Sequence, residues 1–192
     1  MMPNTPFHRV ARDDLPPSLQ AAHDASMKTH SDATFVEVLG NTPELLEWYR
    51  KDFYERVFYS GRLPRRMIEL VRLRLANVHG CALCNRTDRI AAAQAGITEA
   101  EMDALDDHAN GPFSPAEKAA LALADVMVLT NPKGAVTHEL YAECKKHLSD
   151  AQMVELGMIM AVLCGMAKFI FAYDLVEKED YCPFLPATQA AE

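Results

Sequence analysis

Residues 64–96 read PRRMIELVRLRLANVHGCALCNRTDRIAAAQAG, and this stretch decides the fold. Pro64 opens a helix in which Met67, Leu70, Val71, Leu75 and Val78 make an apolar stripe that runs to about Gly80. Cys81 follows at once. From Cys84 to Gln94 the residues favour helix again, through Ile90-Ala91-Ala92-Ala93, and Gly96 supplies a stop. Cys81 and Cys84 therefore sit at a helix N-terminus, just past the turn that joins two helices.

The same periodicity extends outward in both directions. Thr42-Pro43 is a start signal, and Leu45, Leu46, Tyr49, Phe53, Val57 and Phe58 predict a helix ending near Ser60-Gly61. Thr98-Glu99-Ala100-Glu101 and Ser114-Pro115-Ala116-Glu117 are capping boxes, the second opening a helix through Ala119, Leu121, Leu123 and Val126. A short helix is expected over 137–147, and Ser149-Asp150 caps a long apolar one to about Val176. No segment alternates apolar and polar residues as a strand would, and no linker or repeat divides the chain. The expected fold is an all-α helical bundle in a single domain over residues 1–182, with 183–192, bearing Pro183 and Pro186, as a C-terminal tail.

With 192 residues and 49% hydrophobic composition the chain can bury a sizeable core. A formal charge of -8 repels a phosphate backbone, so nucleic acid is not an expected partner. The densest basic stretch, Arg62 to Arg74, is broken by Glu69 and reads as one solvated helix face. The N-terminus lacks the basic and then apolar run of a secretory signal, and the longest apolar stretch, Leu156 to Ala167, falls short of the ~20 residues of a membrane span. A cytoplasmic protein without membrane partners is expected, with that stretch a buried helix.

Of five cysteines only Cys81 and Cys84 are close in sequence. In a reducing compartment such a pair points to redox or metal chemistry, two incidental packed thiols being the bland alternative. Thiolate is the reactive form, and a helix N-terminus favours it, which suits Cys84. A spacing of two intervening residues brings the sulfurs within bonding range, so an oxidised cysteine can be trapped as a disulfide. Structural zinc wants four ligands, and no second pair exists in the chain. Glu69, twelve residues before Cys81, could relay a proton if partly buried, or could pair with Arg65, Arg66 or Arg72 on the helix surface.

The segment from Leu63 to Leu105 resembles the carboxymuconolactone decarboxylase-like superfamily, in particular its alkyl hydroperoxidase D (AhpD-like) branch. The resemblance rests on residues 66–71 (RMIELV), 79–84 (HGCALC) and 91–96 (AAAQAG), and more loosely on 114–122 and 148–156. It implies an all-α fold assembled as trimers or hexamers that reduces hydroperoxides, with no cofactor and with a dithiol protein as reductant. It also implies roles: Cys84 as the peroxidatic cysteine, Cys81 as the resolving one and Glu69 as the relay carboxylate. The AhpD pattern has histidines directly before its second cysteine and four residues after it; here those positions hold Leu83 and Asp88. Asp88 and His79 are candidates for the missing proton relay, Asp88 having as its alternative a solvated place beside Arg89.

Other classes stay open at this level. A decarboxylase of aromatic-derived lactone acids would not need the paired cysteines, and a non-catalytic redox sensor would use them only to report oxidation. His8, His23, His30, His108, His138 and His147 show no ligand spacing and receive no role. Met153, Met158, Met160 and Met166 read as core or subunit interface. Trp48, Tyr49, Phe53 and Tyr54 could line a pocket or simply pack between helices.

Overall fold

In chain order the helices are α1 (Pro17–His30), α2 (Thr34–Leu39), α3 (Pro43–Glu47), α4 (Arg65–His79), α5 (Ala82–Gln94), α6 (Glu99–Asp103), α7 (Pro115–Met127), α8 (His138–Lys145) and α9 (Asp150–Ala172). They are seen in a computed structural model that describes residues 1–185. Among these residues the one extended pairing is an isolated bridge between Cys81 and Lys178.

Helix α4 is the axis because its sequence is apolar on more than one side. On one side Met67, Ile68, Val71 and Leu75 meet Phe53 and Phe58, then Ala120 and Leu123 of α7 and Leu156 and Ile159 of α9. On the other, Leu70 and Leu73 pack with Ala92, Ile97, Met102, Leu105, Phe113 and Leu121. Each fully buried Leu, Ile, Phe or Met contributes about 1.5–3 kcal/mol against staying in water, so this double-sided burial anchors α4 more firmly than its helix propensity could. A third cluster ties Leu15 and Leu19 to Val36, Ile170, Phe171, Val176 and Cys81. It seats α1 and α2 over the end of α4 where the cysteines lie.

Four sequence expectations need adjustment. Arg72 is buried at 7% exposure, so the arginine stretch is not one solvated face; Arg66 and Arg74 are also clamped, to Glu101 and Glu117 and to Asp106 and Asp125. The helix from Pro43 changes register and runs as a π-helix over Trp48–Phe58, with the Tyr59 N–H reaching the Tyr54 carbonyl five residues back. Helix α9 is 23 residues long and apolar enough to cross a membrane by length and composition, yet Leu156, Ile159, Cys164 and Ile170 pack inward. It stops at Ala172, where Asp174 with φ +54° turns the chain back. Residues 183–185, read as the start of a tail, lie against the fold, with Phe184 stacked on Phe171 at 5.3 Å; Pro186 and the rest of that stretch lie outside the described residues.

Candidate active site

Gly80 builds the turn that carries the cysteines. It adopts φ +66°, its N–H bonds to the Asn77 carbonyl, and the Cys81 N–H bonds to the Ala76 carbonyl, which is a Schellman motif closing α4. A Cβ on Gly80 would lie 2.6 Å from the Cys182 Cα, so close approach as well as conformation demands glycine. The residue after the glycine is Cys81, which immediately becomes the N-cap of α5. One turn thus ends one helix, starts the next and fixes the first sulfur.

Cys81 and Cys84 are disulfide-bonded, with Cα atoms 5.2 Å apart. Their environments differ. Cys81 is buried at 1% exposure, whereas Cys84 is partly exposed. The amides at the start of α5 are already engaged: Ala82 and Leu83 donate to the Glu177 carbonyl, and the Cys84 N–H donates to Cys81 Sγ at 3.2 Å. The helix N-terminus therefore stabilises a thiolate on Cys81 rather than on Cys84, which reverses the expectation drawn from position alone.

Both sulfurs line a cavity of about 300 Å³. Its apolar wall comes from Phe35, Leu75, Leu83, Leu163, Met166 and Ile170. Tyr49 and Tyr54 face it as well, five residues apart on the π-helix, with their hydroxyls 3.5 Å from each other. Burial raises both phenols, so they stay protonated at neutral pH. Phe53 instead packs in the core, and Trp48 is exposed.

The polar wall is a buried ion cluster. Arg72 lies 2.5 Å from Glu69 and 3.2 Å from Asp88, and all three side chains are at least nine-tenths buried. Arg72 and Asp88 line the cavity; Glu69 stands behind them, accepting a hydrogen bond from the Tyr59 hydroxyl at 3.0 Å and pairing with Arg65 at 3.8 Å. Burial pushes the Asp88 carboxyl up to about 6, against the opposing pull of Arg72 and with help from the Glu69 charge. Asp88 is thus not the solvated neighbour of Arg89 that the sequence allows. His79 also borders the cavity, but its Nε2 accepts the Leu129 N–H at 3.0 Å, and burial lowers it to about 4. It is a neutral imidazole at physiological pH.

Residues 43–126 match the profile of the carboxymuconolactone decarboxylase family. YdfG, an uncharacterized protein of Bacillus subtilis, is 32% identical over 107 residues, which span 55% of this chain and 72% of YdfG. The chain belongs to the carboxymuconolactone decarboxylase family. Its fold is AhpD-like: an uncharacterized peroxidase-related protein from Ralstonia eutropha with an alkylhydroperoxidase AhpD core superposes with a TM-score of 0.71 at 11% identity, over 94% of this chain and 95% of that one. The debrominase Bmp8 superposes with a TM-score of 0.72 at 17% identity, over 92% of this chain and 94% of Bmp8, and has also been solved as a cysteine-to-alanine variant with 2,3,4-tribromopyrrole.

Of the candidate site residues, Cys81, Cys84, Asp88 and His79 share one cavity, while Glu69 reaches it only through Arg72. Arg72 is the member that sequence reasoning passed over. Ile68, Val71, Arg72, Leu75, Ala76 and His79 recur at helical spacing, and that periodicity places Arg72 on the buried stripe. Among the described residues, no group of three or more His, Cys, Asp or Glu side chains is arranged to hold a metal.

Proposed function

We propose that this chain is a thiol-dependent peroxidase of the AhpD-like kind, reducing organic hydroperoxides in a reducing cytoplasm and regenerated by a dithiol protein. The observation that carries the reading is the pairing of a cavity-facing Cys84 with a buried Cys81 already engaged by the helix N-terminus. Cys84 thiolate attacks the outer peroxide oxygen; an S–O bond forms, the O–O bond breaks and an alcohol leaves. Cys81 thiolate then displaces hydroxide from the Cys84 sulfenic acid, releasing water and forming the disulfide. Arg72 supplies positive charge at the cavity wall, where the thiolate and the departing alkoxide both carry negative charge.

The test is hydroperoxide consumption by the reduced protein, wild type beside Cys84→Ser and Cys81→Ser. Cys84→Ser is expected to be inactive, and Cys81→Ser to stop after one turnover with a sulfenic acid that a 1,3-dione traps on Cys84. Full turnover by Cys84→Ser would refute the assignment.

A second reading is favoured by the size and aromatic lining of the cavity together with the likeness to a debrominase. The same dithiol could replace a ring-bound halogen by hydrogen, releasing halide as the disulfide forms. Loss of a halogenated aromatic from a mixture without peroxide separates the two.

We infer further that the chain is a homo-oligomer, a trimer or hexamer. The outer face of α9 carries Ala151, Val154, Met158, Ala161 and Gly165 at three- and four-residue spacing, with Val154 67% and Met158 59% exposed. A monomer at micromolar concentration in light scattering would overturn this.

A further inference from the structure

Histidines stand at neither of the two positions next to Cys84 where the AhpD pattern has them, and the amides at the start of α5 are spent on Glu177 and Cys81. Cys84 therefore needs a proton acceptor from elsewhere. His30, the last residue of α1, reaches the cavity from outside the family-matched residues 43–126. We propose that His30 is the acid–base group of this site, taking the Cys84 proton and handing it to the leaving oxygen; the inference rests on the peroxidase reading above.

The geometry begins with Thr87. Its hydroxyl donates to the Leu83 carbonyl at 2.9 Å, so at its 3.1 Å contact with His30 Nε2 the oxygen accepts and Nε2 carries the proton. Nδ1 is then the basic nitrogen. It is buried and has no hydrogen-bond partner among the described residues. An unpaired buried acceptor is destabilising. Thr87 stands three residues after Cys84, so both lie on one face of α5 about one turn apart, and the imidazole bonded to Thr87 lines the same cavity as Cys84. Leu19, fully buried on α1, and the left-handed Ser31 that ends the helix fix where the ring emerges.

The groups around His30 keep its imidazole neutral, with Nδ1 unprotonated. Burial and Arg86 of α5 lower its proton affinity, while Asp32 in the next turn and Glu177 of the C-terminal segment oppose them. Asp88, another titratable group facing the cavity, is held by Arg72 at 3.2 Å. The proton path balances: the Cys84 thiol gives a proton to Nδ1, the thiolate attacks, and the imidazolium protonates the alkoxide as the O–O bond breaks. Cys84 ends as sulfenic acid, the peroxide as alcohol and His30 as neutral imidazole.

The experiment is the pH dependence of Cys84 alkylation by iodoacetamide in the fully reduced chain, read by peptide mass, beside hydroperoxide consumption. Wild type is expected to alkylate well below the ordinary thiol value of about 8.5, with an acid limb set by His30. His30→Gln keeps an amide N–H for Thr87 but cannot take a proton; it should slow peroxide consumption about 100-fold at neutral pH and move alkylation to the simple thiol range. Imidazole in the buffer should restore part of the rate to His30→Ala. A His30→Gln profile that superposes on wild type overturns the proposal, as does a wild-type profile that follows a simple thiol titration, a result needing no variant. Alkylation requires no peroxide, so a His30-dependent profile in a protein that ignores hydroperoxides would sink the peroxidase reading and leave standing only the transfer of the Cys84 proton to His30.

Discussion

Asp88→Asn reads the electrostatics of the site directly. The carboxyl is buried and pushed up to about 6 from an ordinary 3.8, burial outweighing the attraction of Arg72 at 3.2 Å. That gap corresponds to about 3 kcal/mol, at ~1.4 kcal/mol per pH unit. The folded pKa is raised, so the stability that Asp88 contributes as a neutral acid is complete below its unfolded value and lost as pH climbs to about 6. In that window the folded chain holds a proton that the unfolded chain has released.

Asparagine keeps the shape and removes the titration. Urea unfolding of oxidised wild type and Asp88→Asn should therefore give a stability difference that shifts by ~3 kcal/mol in favour of the variant between about pH 3 and pH 8. Groups remote from the cluster cancel in the difference, the attraction of Arg72 is already contained in the Asp88 value, and exchange of the neutral acid for the amide adds only an offset. A difference that stays flat would refute the reasoning. So would one that moves the other way, because Arg72 would then dominate burial and Asp88 would be an ordinary stabilised carboxylate.

Arg72→Met removes the cation that contacts both Glu69 and Asp88 and is expected to destabilise the fold by about 3–5 kcal/mol at neutral pH, with a smaller loss in acid, in the same urea assay. Gly80→Ala forces a left-handed alanine against the Cys182 backbone; it should cost about 2 kcal/mol or more and slow re-formation of the Cys81–Cys84 disulfide, measured by thiol titration after reduction.

The helices around the cysteines were legible because local signals agree there. Capping boxes at Thr98 and Ser114, the glycine after α4 and the alanine run of α5 each act within a few residues, and all recur in the structure. The π-register of Trp48–Phe58 was not legible, since Tyr49 and Phe53 fit an ordinary helix equally well and tertiary contact selects the wider turn that sets Tyr49 and Tyr54 side by side. Arg72 was misread for a different reason. Its charge argued for solvent, while its spacing with Val71, Leu75 and His79 argued for the interior, and two carboxylates from α4 and α5 settle the conflict. Nothing local marks His30, whose place at the cavity depends on how α1 closes over a site some fifty residues further along the chain.

The cluster also bears on how, under the proposed function, the cavity can hold an aspartate together with a nucleophilic Cys84. Glu69, Arg72 and Asp88 sum to one negative charge with both carboxylates ionised and to zero with Asp88 protonated. A thiolate on Cys84 adds a second negative charge to the same low-dielectric cavity, which raises the cost of ionising Asp88. A thiolate on Cys84 and a proton on Asp88 therefore favour each other. Arg72 limits the total negative charge at the wall, and burial raises the Asp88 carboxyl to about 6. An aspartate is thus compatible with a nucleophilic cysteine here because burial has already brought its carboxyl close to neutrality.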